Sequence, residues 1–289
     1  MRHQASIDKI QKLPSIVQTI QNFNLLKNKG FSKSLGQNFL TDYNIIQKIV
    51  TFAGDLSDKI VLEIGSGPGG LTRAILEHNP KALHVVEMDP ECIAVLKALQ
   101  KKFPQIYIHH QNALTFDVKN IASCDEQIHI IANLPYNVGT PLLIEWLKKS
   151  AFIHSMTLMF QKEVADRITA KVNAKQYGRL SVISQYLCAV DTCFHLPPHL
   201  FTPAPKVDSC VVHLKPLPNV DYDLLPLLEK ITEKGFGQRR KMIRSSLKGL
   251  ISDEQLQAFG LEPTLRAENV TLEDFINLAT SLKRGEVIQ

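Results

Sequence analysis

No two cysteines in this chain are spaced Cys-x-x-Cys. The five present, Cys92, Cys124, Cys188, Cys193 and Cys210, are odd in number and scattered. They read as reduced thiols of a cytosolic protein, not as a disulfide framework. His-Glu-x-x-His is absent, no other Cys and His arrangement has zinc-ligand spacing, and so no metal centre is expected. The sequence also lacks a run of eighteen apolar residues, a signal-peptide core near Met1, internal repeats and low-complexity tracts. A soluble, cytoplasmic protein is the expectation. A strong excess of one charge is also lacking: the net charge of +5, from 33 Lys/Arg and 28 Asp/Glu, fits either a polyanionic partner or simple solubility. With 289 residues and 44% hydrophobic content, the chain can bury a large core, and one large domain plus a small one is expected.

What is present is an alternation of strand and helix signals. Residues 59–64 form a near-continuous apolar run, as a parallel strand covered on both faces requires. Residues 82–87, 105–109, 128–132 and 155–160 read as further strands. Helical spacing recurs in Ile45, Ile46, Ile49 and Val50, in Leu71, Ala74, Ile75 and Leu76, in Ile93, Val95, Leu96 and Leu99, and over 140–149. Pro90 suits a first helical turn. The pattern predicts a doubly wound parallel sheet of the Rossmann-like α/β class. Two more strands, 189–196 and 207–214, flank the proline-stiffened loop 201–209, and Pro216 and Pro218 mark a boundary. Beyond it the chain reads as all-helical, with capping-box spacing at Ser252/Gln255 and Thr271/Asp274, and Gly260 at a helix end. The expected organisation is a basic N-terminal extension (1–30), a large α/β domain (31–216) and a smaller helical domain (217–289). In the extension, Leu13, Ile16, Val17 and Ile20 recur at helical spacing after Pro14, which suits a first turn. Six Lys/Arg and one acid, Asp8, lie between Met1 and Leu40. This arm either contacts RNA or packs on the main domain.

Four stretches carry chemistry. Asn133-Leu134-Pro135-Tyr136 follows a strand, and in an open α/β sheet ligands lie outside the carboxyl ends of the strands. Asn133 offers a carbonyl acceptor, Pro135 fixes the backbone and Tyr136 offers a flat face, a set that can grip a planar ring bearing an exocyclic amine. The alternative is a plain strand-to-loop turn. Next, Gly65-x-Gly67-x-x-Gly70 matches the dinucleotide pattern, with Glu87 at a distance suited to ribose hydroxyls. Glu63, two residues before the first glycine, is unusual for a nicotinamide site. Gly36-Gln37-Asn38-Phe39-Leu40 is an uncommon turn of polar positions before an apolar pair. Finally, Arg240, Arg244 and Lys248 are spaced by four, which predicts one basic helix face beside Ile243, Leu247 and Leu250. That face either touches RNA phosphates or is merely solvated. His109-His110 has no ligand partner nearby in sequence.

In order, these stretches resemble the KsgA (RsmA) family of small-subunit rRNA adenine dimethyltransferases. The resemblance runs over about 34–269 and also includes Gln161-Lys162-Glu163-Val164, Tyr177-Gly178-Arg179-Leu180-Ser181, the 201–209 loop and Arg266-Ala267-Glu268-Asn269. It implies a Rossmann-like S-adenosylmethionine methyltransferase domain with a C-terminal helical domain that binds rRNA through Arg240, Arg244 and Lys248. The implied activity is dimethylation, at N6, of two adjacent adenosines near the 3′ end of 16S rRNA in the small ribosomal subunit, linked to ribosome biogenesis. It further implies a cytoplasmic monomer with no membrane and no metal. By resemblance, Asn38 and Leu40 lie over the methionine end of the cofactor, and Gly65 and Gly67 approach it closely. Glu87 takes the ribose and Met88 the adenine face. Asn112 stands where the family has an Asp, a departure that removes a charge-assisted bond. Asn133 borders the cofactor and, with the Leu134 carbonyl, accepts the two N6 hydrogens. Pro135 shapes the turn, while Tyr136 and Phe201 cover opposite faces of the flipped-out base. A macrolide-resistance methyltransferase acting on large-subunit rRNA and a non-catalytic assembly factor are the alternatives. The long helical domain and the 201–209 loop favour the first reading over the second, and the intact 133–136 motif argues against the third.

Overall fold

Each apolar run becomes a strand, and their order in space positions everything else. The computed structural model describes residues 2–26 and 38–285. Helices α1 (Arg2–Gln11) and α2 (Ile16–Asn22) precede a two-residue strand β1 (Phe39–Leu40) and α3 (Tyr43–Phe52). There follow β2 (Ile60–Ile64), α4 (Gly70–Glu77), β3 (Ala82–Glu87), α5 (Pro90–Gln100), β4 (Ile106–His110), β5 (Ile128–Asn133), α6 (Gly139–Lys148) and β6 (Ile153–Gln161). Then come α7 (Lys162–Thr169), α8 (Arg179–Leu187), β7 (Cys188–Leu196), β8 (Phe201–Thr202) and β9 (Ser209–Pro216). The seven-stranded sheet has the order β4-β3-β2-β5-β6-β9-β7. Neighbours from β4 to β6 are parallel, and β9 runs antiparallel to β6. The chain thus builds outward from β2 in one direction and returns to build from β5 in the other, the doubly wound pattern read from sequence.

The described residues form two compact units. The first holds those up to Ala165 together with Asp191–Pro216; the second holds Asp166–Val190 and those from Leu217 onward. Residues 166–190, read from sequence with the large domain, therefore lie in the second unit. Local chemistry explains why. Arg179 sits 3.8 Å from Glu229 and 3.9 Å from Glu233. Gln185 Nε2 donates to the carbonyls of Ile168 and Ala170, and α8 packs on α9 (Leu225–Gly237). Phe236 touches both Tyr177 and Phe275, at ring separations of 5.9 and 5.7 Å. The remaining helices are α10 (Ile243–Ser246), α11 (Asp253–Ala258) and α12 (Leu272–Arg284). The capping boxes Ser252/Gln255 and Thr271/Asp274 form as read, and Gly260 has φ +72°, the left-handed conformation that suits the residue after a helix.

The N-terminal arm packs on the first unit. Ile10, Ile16, Ile20 and Leu25 are buried in its core, whereas Val17 is 50% exposed. Pro14 lies before the helix and not in its first turn; Ser15 is the cap, in a reciprocal box with Gln18. Arg73 of α4 is buried and donates to the Pro14 carbonyl and to Thr19 Oγ1, which ties the arm to the helix that follows the glycine loop. Lys27, Lys29 and Lys33, half of the arm's basic residues, lie outside the described residues, as do Gly36 and Gln37. Among the described residues, no helix is long and apolar enough to cross a membrane, and no cluster of His, Cys, Asp or Glu could hold a metal.

Candidate active site

The reversal of strand order between β2 and β5 leaves a crevice at their carboxyl ends, where open α/β sheets bind ligands. The register sets Ile64 beside Ala132, so the glycine loop and Asn133 emerge side by side. A Cβ added to Gly65 would lie 3.9 Å from the Asn133 carbonyl oxygen. Gly65 and Gly67 have φ of +71° and +51°, and a Cβ on Gly67 would lie 2.8 Å from the Phe39 ring. Only glycine allows that turn and that approach.

A cavity of about 270 Å³ opens there. Its walls include Asn38 and Leu40 from the β1 segment, Gly65 and Gly67 from the loop, and Glu87 and Met88 from the end of β3. Asn112, Asn133, Leu134, Pro135 and Tyr136 complete it. Every residue that the sequence suggested for the cofactor thus borders one space, and so does the whole 133–136 motif. Phe201 does not. It is 3% exposed, packs in the core and pairs through its backbone with Leu40.

Two buried carboxyls sit under this loop. Glu87 accepts from the Met88 and Asp89 amides at 2.8 and 2.9 Å through Oε1, and from the Gly67 amide and Ser66 Oγ at 3.2 and 3.3 Å through Oε2. The longer pair is the weaker one, the side on which a vicinal diol could replace Ser66. Burial pushes its carboxyl up, and the three amides oppose that. Glu63 is fully buried; its Oε2 accepts from Thr72 Oγ1 at 2.7 Å, and its Oε1 has no partner among the described residues. The first turn of α4 has Gly69 at its cap and so no side-chain acceptor of its own, and Glu63 supplies one from the neighbouring strand.

Burial first, and the Glu87 carboxylate as well, push the Glu63 carboxyl up to about 8, against the bond from Thr72. In the unfolded chain it would titrate near 4.5. Between these values the folded chain holds the proton and the unfolded chain does not, so this group makes stability fall as pH rises. Glu63→Gln, which cannot ionise, should therefore gain on wild type by a few kcal/mol as pH goes from 5 to 8.5. Urea midpoints of both proteins across that range give the difference directly. Taking the difference removes the opposite slope from His84 and His129, which burial pushes down to about 4. A pH-independent difference would mean that Glu63 is ionised when buried.

Asn133 is half-buried, and its Nδ2 donates to the Asn38 carbonyl at 3.0 Å. A carbonyl accepts only from a donor, so the amide cannot be flipped and Oδ1 is left as an acceptor. Tyr136 lines the cavity with its hydroxyl 2.7 Å from Ser209 Oγ. Asn112 is exposed, and its Oδ1 accepts from the Leu114 amide at 3.0 Å, capping the 3-10 turn Ala113–Thr115. An Asp would cap that turn equally well, so the departure at this position leaves the backbone as it is.

A family model described as "Ribosomal RNA adenine dimethylase" matches residues 28–284. The chain belongs to that family. The ribosomal RNA small subunit methyltransferase A of Agrobacterium fabrum is 45% identical over 281 residues, covering 94% of this chain and 99% of the relative. The protein of the same name from a Ruegeria species is 43% identical over 283 residues, covering 96% and 99%. Among solved structures, a dimethyladenosine transferase from Plasmodium falciparum has a TM-score of 0.75 at 24% identity, over 86% of this chain and 98% of that one. The 23S rRNA methyltransferase ErmE has a TM-score of 0.69 at 24% identity, over 85% and 100%. These two establish the fold.

In this dimethylase the basic residues take a different form from the one expected. Arg240, Arg244 and Lys248 do not share a helix face. The helix at this point is only Ile243–Ser246, flanked by turns. Gln238 ends the preceding helix, and Met242 bridges to Arg266, which stops a continuous helix from forming. The four-residue spacing still buries Ile243 and Leu247 and leaves all three cations exposed. Arg239 beside them is structural: it bonds to Glu268 and to the carbonyls of Lys175 and Tyr177. Sequence reasoning missed the Asn38 carbonyl, the Glu63 cap and Ser209. Glu63 had a signal as the acid before the glycine loop, and Ser209 had one as the last residue of the 201–209 loop.

Proposed function

We propose that this chain transfers methyl groups from S-adenosylmethionine to the N6 amines of two adjacent adenosines near the 3′ end of 16S rRNA in the small subunit, dimethylating each. It acts as a monomer in the cytoplasm. The relatives named small subunit methyltransferase A, matched over almost their full length, support the substrate. The observation that carries the chemistry is the Asn133 amide, held by the Asn38 carbonyl so that its oxygen is the free acceptor.

The residues of the cavity fit the cofactor. A bare glycine backbone at Gly65 and Gly67, an anchored carboxylate at Glu87 and an exposed Met88 suit a nucleoside, and the Asn38–Leu40 segment lines the cavity beside the glycine loop. S-adenosylmethionine supplies an electrophilic methyl group on a sulfonium. The protein's part is positional, because the adenine N6 lone pair is delocalised into the ring and must be turned out of it. In the first transfer Asn133 Oδ1 and the Leu134 carbonyl accept hydrogen bonds from the two N6–H groups. In the second, the one remaining N6–H donates to one of them. The proton lost from N6 each time passes to solvent, and Pro135 holds the turn that presents the two oxygens. Tyr136 stacks on the base; base–aromatic stacking is worth about 1–3 kcal/mol and offsets part of the cost of flipping it out. Phe201 would cover the other face only after its ring left the core. In this reading the first unit does the methyl transfer, and the second binds rRNA phosphates through Arg240, Arg244 and Lys248.

The test is to incubate the protein, labelled cofactor and undermethylated small subunits, and to map the methyl-adenosines. Label on two adjacent adenosines near the 3′ end of 16S rRNA is the expected result. Label on large-subunit rRNA, or calorimetric binding of NADH in place of S-adenosylmethionine, would overturn the reading.

A further inference from the structure

We propose that Ser209 is a positioning residue for the methyl-accepting base: its hydroxyl tethers the Tyr136 phenol and so fixes where the ring on which the adenine stacks lies in the site. The inference rests on Tyr136 being a stacking face, as argued above.

The topology brings this serine to the site. Strands β2 to β6 present their last residues at the reactive edge, but β9 runs the other way, so its first residue lies there. Ser209 is that residue, paired in register with Gln161 at the end of β6. In the next strand pair Met159 of β6 lies beside Asn133 of β5, which puts Ser209 two strands from the catalytic motif.

The contact itself is specific. Ser209 is fully buried, and its side chain bonds to nothing else among the described residues. A buried hydroxyl needs a partner, and this one takes a phenol 73 positions away in sequence. Tyr136 stands in a turn, not in a helix or strand. The backbone of that turn is fixed, since the Pro135 carbonyl accepts from the Val138 and Gly139 amides at 3.1 Å each. Backbone closure leaves the tyrosine ring free to rotate about its own torsions. A bond at the far end of the ring stops its swing about χ1, so the ring meets the base already in place. The tether also joins the two motifs, 133–136 and 201–209, that the sequence holds far apart.

A double-mutant cycle tests this, using the full-length protein and undermethylated small subunits. Ser209→Ala and Tyr136→Phe each break the tether and keep the ring. Each should lower kcat/KM for the subunit by about three- to tenfold, the worth of one neutral hydrogen bond. The double variant should be no slower than either single one, and the Kd for S-adenosylmethionine should be unchanged in all three. Additive losses, or a lowered melting temperature with normal transfer, would overturn the tether. Tyr136→Ala separates the two ideas. If it transfers normally, the stacking reading fails, and the tether with it. If it is slow while Ser209→Ala and Tyr136→Phe are normal, stacking stands and the tether alone is wrong.

Discussion

Asn133→Ala should transfer methyl groups in a single turnover about 10²- to 10³-fold more slowly than wild type, the usual cost of removing one preorganised polar group from a reacting centre. The substitution removes both halves of the amide. Loss of Oδ1 takes away the acceptor proposed for the N6 hydrogen. Loss of Nδ2 removes the donor that meets the Asn38 carbonyl at 3.0 Å. Because Asn38 lines the cofactor cavity, affinity for S-adenosylmethionine should also fall, by about tenfold or less. Saturating cofactor in a rapid-quench assay keeps the two effects apart. Transfer at the wild-type rate under saturation would remove Asn133 from the mechanism.

The second large effect concerns substrate binding. Changing Arg240, Arg244 and Lys248 together to Glu should leave S-adenosylmethionine affinity untouched, because none of the three borders the cavity. Affinity for small subunits should fall by orders of magnitude. The logarithmic salt slope should become shallower by about 0.7–0.9 for each phosphate that the protein no longer neutralises. The three side chains are exposed and no hydrogen bond or ion pair engages them among the described residues, so they are free to meet phosphate. Binding titrations at several salt concentrations measure both quantities. An unchanged slope would make this a solvated surface and move the RNA-binding face elsewhere.

The expected helix face fails here for an instructive reason. A four-residue spacing of apolar positions records which side chains are buried, and a short helix with turns on either side can satisfy it. Ile243 and Leu247 are buried as the spacing demands, but the bridge between Met242 and Arg266 comes from a segment more than twenty positions away. The same logic covers what else was hidden. Strands β2 to β6 were legible because each is a local apolar run, and the glycine loop because its conformation needs glycine locally. The two-residue pair of Leu40 with Phe201 has no local pattern, and neither has the packing of 166–190 into the second unit. The proposed chemistry divides in the same way. Asn133 and Glu87, the residues proposed to carry it, stand at strand ends, where the sequence pattern puts them. Their supports, the Asn38 carbonyl and the backbone amides, are main-chain atoms, which side-chain identity does not reveal. Phe201 is the converse: a motif position whose ring is in the core, where the motif alone suggested the site.

The guanidinium of Arg73 bears on how far this enzyme can be shortened. The family match begins at residue 28, which invites a minimal fragment starting there. Such a fragment would discard Pro14 and Thr19, the acceptors for two of the nitrogens of Arg73, whose Nε already has no partner among the described residues. It would also discard Ile16, whose side chain lies 3.1 Å from where a Cβ on Gly70 would be, directly behind the cofactor loop. A stranded cation and an opened apolar seam would then sit within the first turns of α4, behind the glycine loop. A fragment that keeps these contacts is therefore longer than the family boundary suggests and has to start ahead of Pro14.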